Sequence, residues 1–360
     1  MVVVGSDVHK RTHTFVVVDE VGRKLGEITV KADPKGHDKA IRWVRERFGE
    51  VEVLWAIEDC RHLSARLELD LLDAGEQVVR VPPKLMAEQR RTARTRGKSD
   101  PIDALAVARA ALREPDLPVA SHDEASRELK LLVDRREDLV GERTRMINRL
   151  RWHLHRIAPG EPVADPKPKT LKLAKTRRHL AEWLADQNRI DARLARDILA
   201  DLDRVTPVIN DLEREIAALV RAQAPELVAL PGCAELTAAK IVGETAGVHR
   251  FAHEAKYAMH AGVAPIPVWS GRTKGRVRMS KSGNRQLNAA LHRIAVPQIR
   301  LDGLGKAYYD KRLAAGDSTT EALRALKRRL ARVVFNTLKN NPSTATATAT
   351  ATATGPAAAA

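Results

Sequence analysis

Residues 2–31 read VVVGSDVHKRTHTFVVVDEVGRKLGEITVK. Three β-rich runs stand out in it, 2–8, 13–19 and 24–31, parted by short polar links, the second of them Glu20–Arg23. Valine, threonine, isoleucine and phenylalanine suit a pleated, packed surface. Links this short join neighbouring strands in antiparallel order. The stretch therefore predicts a three-stranded antiparallel meander.

Working outward, DPKGHDKAIRWVRERFG (33–49) has a helical pattern with Ile41, Val44 and Phe48 on one face. EVLWAIE (52–58) reads as a buried strand, 63–75 as a helix closed by Gly75, and 77–83 as another strand. A helix from about Lys84 follows, then one in KSDPIDALAVARAA (98–111). Three antiparallel strands followed by alternating α and β units is the order of a ribonuclease H-like sheet. A doubly wound nucleotide fold needs a glycine-rich turn after its first strand, and SDVHK does not supply one.

From 126 to 157 the chain reads as one long helix. Leu129, Leu132, Leu139, Met146, Leu150, Leu154 and Ile157 recur at three-and-four spacing, interrupted by Arg136 and Arg143. A proline-rich loop leads to a second helical stretch, 171–223, where Pro207 is expected to kink or break the helix. The pair predicts a helical hairpin serving as spacer or dimerisation arm, with Trp152 and the basic helix around it packing and contacting RNA or a partner. LPGCAELTAAKIVGET (230–245) has the shape of a helix-hairpin-helix element, whose backbone amides can hold a phosphate. A short helix, a loop (264–283) and two basic helices are expected after it. The reading divides the chain into an α/β domain (1–120), a helical linker of coiled-coil type (121–224), a mainly helical C-terminal domain (225–342) and a low-complexity, disordered tail (343–360).

Composition narrows the partners. Sixty-two Lys and Arg against 46 Asp and Glu give 360 residues a net charge of +16, which favours a polyanion such as nucleic acid. Two cysteines, Cys60 and Cys233, cannot build a disulfide framework, and no C-x-x-C pair points to zinc. The opening apolar run is too short for a signal peptide and no segment approaches a membrane span, so a reducing cytoplasm without membrane attachment is expected. No P-loop appears, and the spacing from Glu254 to His260 does not fit a zinc-protease helix.

Four carboxylates carry the chemistry. Asp7 ends the first strand and Glu58 the fourth, which are neighbours in a ribonuclease H-like sheet. Asp100 and Asp103, at i and i+3, share a helix face. Clustered acids repel unless a cation neutralises them, and oxygen-only ligands suit Mg²⁺ or Mn²⁺. Each acid also has an ordinary explanation: Asp100 before Pro101 as an N-cap, Asp103 as the acid of a capping box, Asp7 as a turn residue, with Asp59 competing with Glu58. Upstream, Arg90, Arg91, Arg94, Arg96 and Lys98 form either a guide or DNA contact or a solvated charged segment. His9 and His13 could be ligands, although turn and strand-start positions explain them better. In PVWSGRTKGRVRMSKSGNR (267–285), Arg272, Lys274, Arg276, Arg278, Lys281 and Arg285 surround Ser270, Ser280 and Ser282. Such loops mostly grip phosphates, and composition does not choose among the three serines.

GSDVHKRTHTFVVVDEVG, the acid after LWAI, RTRGKSDPIDALAVARA and the long run from LPGCAELTAAKIVGE through SKSGNRQLNAAL resemble, in order and over roughly residues 1–340, the DEDD transposases of bacterial insertion sequences. The chain more closely resembles insertion-sequence family one-ten, the bridge-RNA-guided recombinases. That resemblance implies a RuvC-like, ribonuclease H-fold domain joined by a coiled coil to a carboxy-terminal transposase domain. It implies that Asp7, Glu58, Asp100 and Asp103 hold Mg²⁺ (or Mn²⁺) and that Ser270 is the nucleophile for a phosphoserine link to DNA. It further implies a noncoding bridge RNA pairing with donor and target DNA, and a homodimer or homotetramer. Here Asp59, Cys60 and Arg61 stand where the family usually has small residues, and PGCA replaces the usual P-G-I-G. Two other readings stay open: a RuvC-like, Mg²⁺-dependent junction nuclease that uses water, and a noncatalytic nucleic-acid-binding scaffold.

Overall fold

The computed structural model describes residues 1–58, 61–92, 99–114, 117, 119–121, 123–273, 277–279 and 283–341. The segment read as a disordered tail lies outside them. The chain divides into two compact units, 1–123 with 249–253, and 124–248 with 254–360.

The first unit is a five-stranded sheet. β1 (Val2–Val8), β2 (Thr12–Val18) and β3 (Lys24–Lys31) form the meander that the opening sequence predicts. The turn between β2 and β3 is closed by Asp19, whose carboxylate accepts from the amides of Val21 and Arg23, while Gly22 takes the left-handed φ of 77°. α1 (Pro34–Phe48) starts at Asp33, which accepts from the Gly36 amide at 2.7 Å, with Pro34 at the first helical position. β4 (Val53–Glu58), α2 (Arg61–Asp73) and β5 (Gln77–Val81) follow, then α3 (Pro83–Thr92) and α4 (Asp100–Arg113). Strand order is β3-β2-β1-β4-β5, with β4 and β5 running parallel to β1. This is the ribonuclease H-like sheet that the element order predicts.

Both faces of the sheet are covered, which is why β1 and β2 carry the consecutive valines Val2–Val4 and Val16–Val18 rather than alternating with polar residues. On one face Val4, Phe15, Trp55 and Ile57 pack with Ile41, Val44, Leu67 and Leu71 of α1 and α2. On the other, Val3, Val16, Ala56 and Val79 pack with Ala104, Val107, Ala108 and Ala111 of α4. α4 is alanine-rich on that face because it lies very close to β1. A Cβ on Gly5 would meet the Ala104 carbonyl oxygen at 2.1 Å and the Ala108 amide nitrogen at 2.5 Å.

The second unit is mainly helical. α5 (Glu124–Ile157), α6 (Ala174–Ala185) and α7 (Ile190–Gln223) come first. α5 and α7 are antiparallel: Arg136 pairs with Glu213, Leu139 packs with Val205 and Ile209, and Leu150 and Leu154 share a core with Leu199 and Ala195. The expected break at Pro207 does not occur. α7 runs through it, and the interruption falls instead at 186–189. Pro207 is exposed, so its ring leans toward solvent rather than into the α5 seam.

α8 (Pro225–Val228) and α9 (Glu235–Thr245) flank the Pro231–Gly232 turn, with Gly232 at φ 80°. α10 (Glu254–His260) precedes β6 (Pro265–Pro267) and β7 (Val277–Met279), a two-stranded antiparallel ribbon. Three helices close the unit rather than the two expected: α11 (Arg285–Gln298), α12 (Leu304–Ala314) and α13 (Thr319–Lys339). The additional boundary lies at 299–303, after Pro297 and around Gly303, residues that end helices. Among the described residues no helix is long and apolar enough to cross a membrane.

Candidate metal centre and serine loop

Sheet register brings the first two acids together. Ser6 of β1 pairs with Ile57 of β4 in parallel, so Asp7 and Glu58 are the next residues along adjacent strands. Alternation then fixes their direction. Val3 and Gly5 face α4, hence so does Asp7; Leu54 and Ala56 face the same side, hence so does Glu58. The close contact at Gly5 seats the first turn of α4 over that strand edge, and this turn carries Asp100 and Asp103.

The capping explanation for the α4 acids is overturned. Ser99, not Asp100, is the N-cap, and no side chain caps the helix. The Asp103 amide bonds to the Ser99 carbonyl at 3.0 Å, which leaves both carboxylates free of helix capping. Asp103 is buried and its carboxylate accepts from Arg90 at 2.8 Å. Arg90 is thus placed against an acid rather than held open for a phosphate.

His9 joins the cluster. Its Nε2 lies 3.1 Å from Asp7 and 3.5 Å from Asp100, and donor atoms of these three residues all lie within 4.8 Å of one another. The turn role expected for His9 understated it; its position two residues beyond Asp7 is the signal for it. His13 belongs elsewhere. It is buried on the opposite sheet face, stacked on His37 with ring centroids 5.1 Å apart.

The electrostatics match a cation-binding centre. Burial raises the Asp7 carboxyl above its ordinary value, and the charges of Asp103 and Asp100 push the same way against His9. Glu58 is raised by burial and then by Asp7 and Asp103, with Arg90 and His9 opposing. Asp7 and Glu58 therefore each sense other acids of the set, with burial the larger cause of the rise. A donor set of carboxylate oxygens with one imidazole fits a hard divalent ion.

In the second unit, Ser270 is exposed, between β6 and a short 3₁₀ turn at Gly271–Thr273. Arg272, Arg278 and Arg285 are exposed as well. The far end of the loop is pinned: a Cβ on Gly283 would meet the Gly262 amide at 2.2 Å. Asn284 caps α11 and donates to buried Glu244 at 2.6 Å. Glu244 also binds Lys130 of α5 at 2.8 Å, and Lys240 binds Glu137 at 2.8 Å. Sequence reading missed this buried network, whose charged residues look like ordinary helix surface. In the first unit Arg91 is exposed on α3. Asp59, Arg94, Arg96, Lys98, Lys274, Arg276, Ser280, Lys281 and Ser282 lie outside the described residues.

Known proteins give the family. A DEDD-type description named for the element IS110, "Transposase", matches residues 4–159, and "Transposase IS116/IS110/IS902 family" matches 224–310. The chain is 28% identical to an uncharacterized 44.8 kDa protein of insertion element IS116 from Streptomyces clavuligerus, over 94% of both chains. It is 27% identical to an uncharacterized 42 kDa protein of IS900 from Mycobacterium paratuberculosis, over 94% of this chain and 95% of that one. Among solved structures, Thermus thermophilus RuvC in complex with a Holliday junction substrate aligns at 19% identity and a TM-score of 0.25, over 32% of this chain and 94% of that one. With both family descriptions in order along the chain and relatives matched nearly end to end, the protein belongs to the IS110-type family of DEDD transposases.

Proposed function

We propose that this transposase moves an insertion sequence by Mg²⁺-dependent strand cleavage and exchange through a serine–phosphodiester intermediate, guided by a noncoding bridge RNA. The observation that carries the reading is the gathering of Asp7, Glu58, Asp100 and Asp103 at one sheet edge, with the carboxyls of Asp7 and Glu58 raised by burial and by their neighbours' charge. Asp7, Glu58 and Asp100 would hold the ion together with His9, and Asp103, which accepts from Arg90, would lie beside them. When bound, Mg²⁺ or Mn²⁺ supplies charge neutralisation and Lewis-acid polarisation of a phosphoryl oxygen.

The chain's own groups do the rest. Ser270 Oγ attacks phosphorus and gives up its proton, and the P–O bond to one deoxyribose breaks. The departing oxygen takes up a proton. One phosphoester replaces another, so the reverse attack rejoins strands without an outside energy source. Arg272, Arg278 and Arg285 offer guanidinium donors for the extra charge on the pentacoordinate phosphorus. The RNA guide and a homodimer or homotetramer follow from the family resemblance.

Strand exchange between donor and target plasmids, with denaturing gels for covalent adducts, tests the reading. Ser270→Ala should lose both exchange and adduct while still binding DNA, and Asp7→Asn should lose both and their response to Mg²⁺. Cleavage that survives Ser270→Ala but not Asp7→Asn would instead identify a water-using nuclease. Full activity in both variants would leave a binding scaffold.

A further inference from the structure

The chain's positive charge is unevenly spread. Between Arg143 and His179 there are eleven Lys and Arg but two acids, Glu161 and Asp165, a net of +9 out of the chain's +16. This segment is the distal end of the helical hairpin. It folds around its own core, in which Leu150 and Leu154 of α5 meet Leu171, Leu180, Leu184 and Leu199. Arg143 and Arg177 are buried in the hairpin, Arg177 against Asp203; the remaining cations stand on a built surface.

One face of α5 there has a particular chemistry. Arg145, Arg149, Trp152 and Arg156 follow at intervals of four, three and four, which puts them on one side of the helix. All four are exposed, Trp152 at 70%. The His155 ring stands edge-on to the indole, 6.3 Å between centroids. Among the described residues Arg145 and Arg149 make no ion pair. An indole that exposed is open to a partner, and the guanidinium groups beside it, Arg149 and Arg156 (the latter 3.8 Å from Asp191), favour an anionic one. A second copy of this face would be repelled by its charge. A membrane surface calls for an apolar face several residues wide, and here one indole stands among cations. An exposed aromatic ring flanked by guanidinium planes fits bases that are already unstacked, held by their phosphates. Duplex DNA keeps its bases inside the stack; the loops of a folded RNA present them.

We infer that the Arg145–Arg149–Trp152–Arg156 face of α5 is an RNA-binding surface that stacks an unpaired loop base on Trp152. The inference rests on the RNA partner proposed above, and the experiment separates the two. Full-length protein is titrated, by fluorescence anisotropy, into a labelled RNA hairpin with a pyrimidine loop, the same sequence as DNA, and a paired RNA duplex of equal length. Trp152→Ala should weaken hairpin binding about tenfold, Trp152→Phe should restore most of it, and the duplex should bind equally to all three proteins. Arg145→Glu with Arg149→Glu should weaken binding further and flatten its salt dependence. Trp152 is exposed enough that its loss leaves the fold intact, checked by circular dichroism. If the wild-type chain binds no RNA, the RNA partner itself fails. If it binds the hairpin and Trp152→Ala binds as tightly, or if the DNA version binds more tightly than RNA, the assignment of this face is wrong.

Discussion

Asp7 costs the fold stability, and that cost is informative. Its carboxyl is raised above the usual carboxylate range, so the native state holds the proton more tightly than the unfolded chain does. Its favourable contribution is therefore present below the ordinary value of 3.8 and is lost as pH rises through the raised value. At neutral pH Asp7 is a burden unless a cation is bound. Asp7→Asn should raise the melting temperature by a few degrees in chelator and abolish the rise that Mg²⁺ gives the wild type; thermal denaturation with and without Mg²⁺ checks both. A lower melting temperature in chelator would mean that the acids are not in conflict. His13 runs in the opposite sense. Burial, and then the neighbouring His37, push it down to about 4 from 6.5, so it is neutral in the fold and must take a proton to match the unfolded chain. Stability from this residue is complete above 6.5 and is lost as pH falls from there toward 4. Melting temperatures across that window should fall more steeply for the wild type than for His13→Gln, and equal slopes would remove His13 as the cause.

At the scale of elements, the contact between α4 and β1 positions the site, and Gly5 permits it. Gly5→Ala should force α4 off the strand, destabilise the first unit by roughly 1–3 kcal/mol and weaken Mg²⁺ binding although no acid is altered. Denaturant titration and calorimetry measure the two effects, and a folded variant with wild-type Mg²⁺ affinity would show that the contact does not set the site. The strands were legible because valine and threonine runs with short links admit few alternatives, and Asp7 and Glu58 followed from strand order. Other features were not legible for identifiable reasons. A serine before Asp-Pro competes for the N-cap, and only backbone geometry assigns the cap to Ser99. Pro207 looks like a breaker until its exposed position shows that the helix can carry it on its outer side. His9 and Arg90 gain their places beside the acids from tertiary packing, which a local reading does not contain.

On the scale of the whole molecule, two chemistries are carried by different parts of the chain. The α/β unit holds the acids at a sheet edge, and the helical unit carries Ser270 and most of the excess positive charge. Sequence showed the basic total, while its concentration at the end of a hairpin emerged once the helices had been placed. The central claim concerns the acids, and a titration of Mn²⁺ into the full-length protein, followed by electron paramagnetic resonance of the free ion, tests it directly. The account predicts saturable binding that Mg²⁺ displaces and that Asp7→Asn or Asp100→Asn abolishes in a chain that remains folded. Equal Mn²⁺ uptake by the wild type and both variants would contradict it.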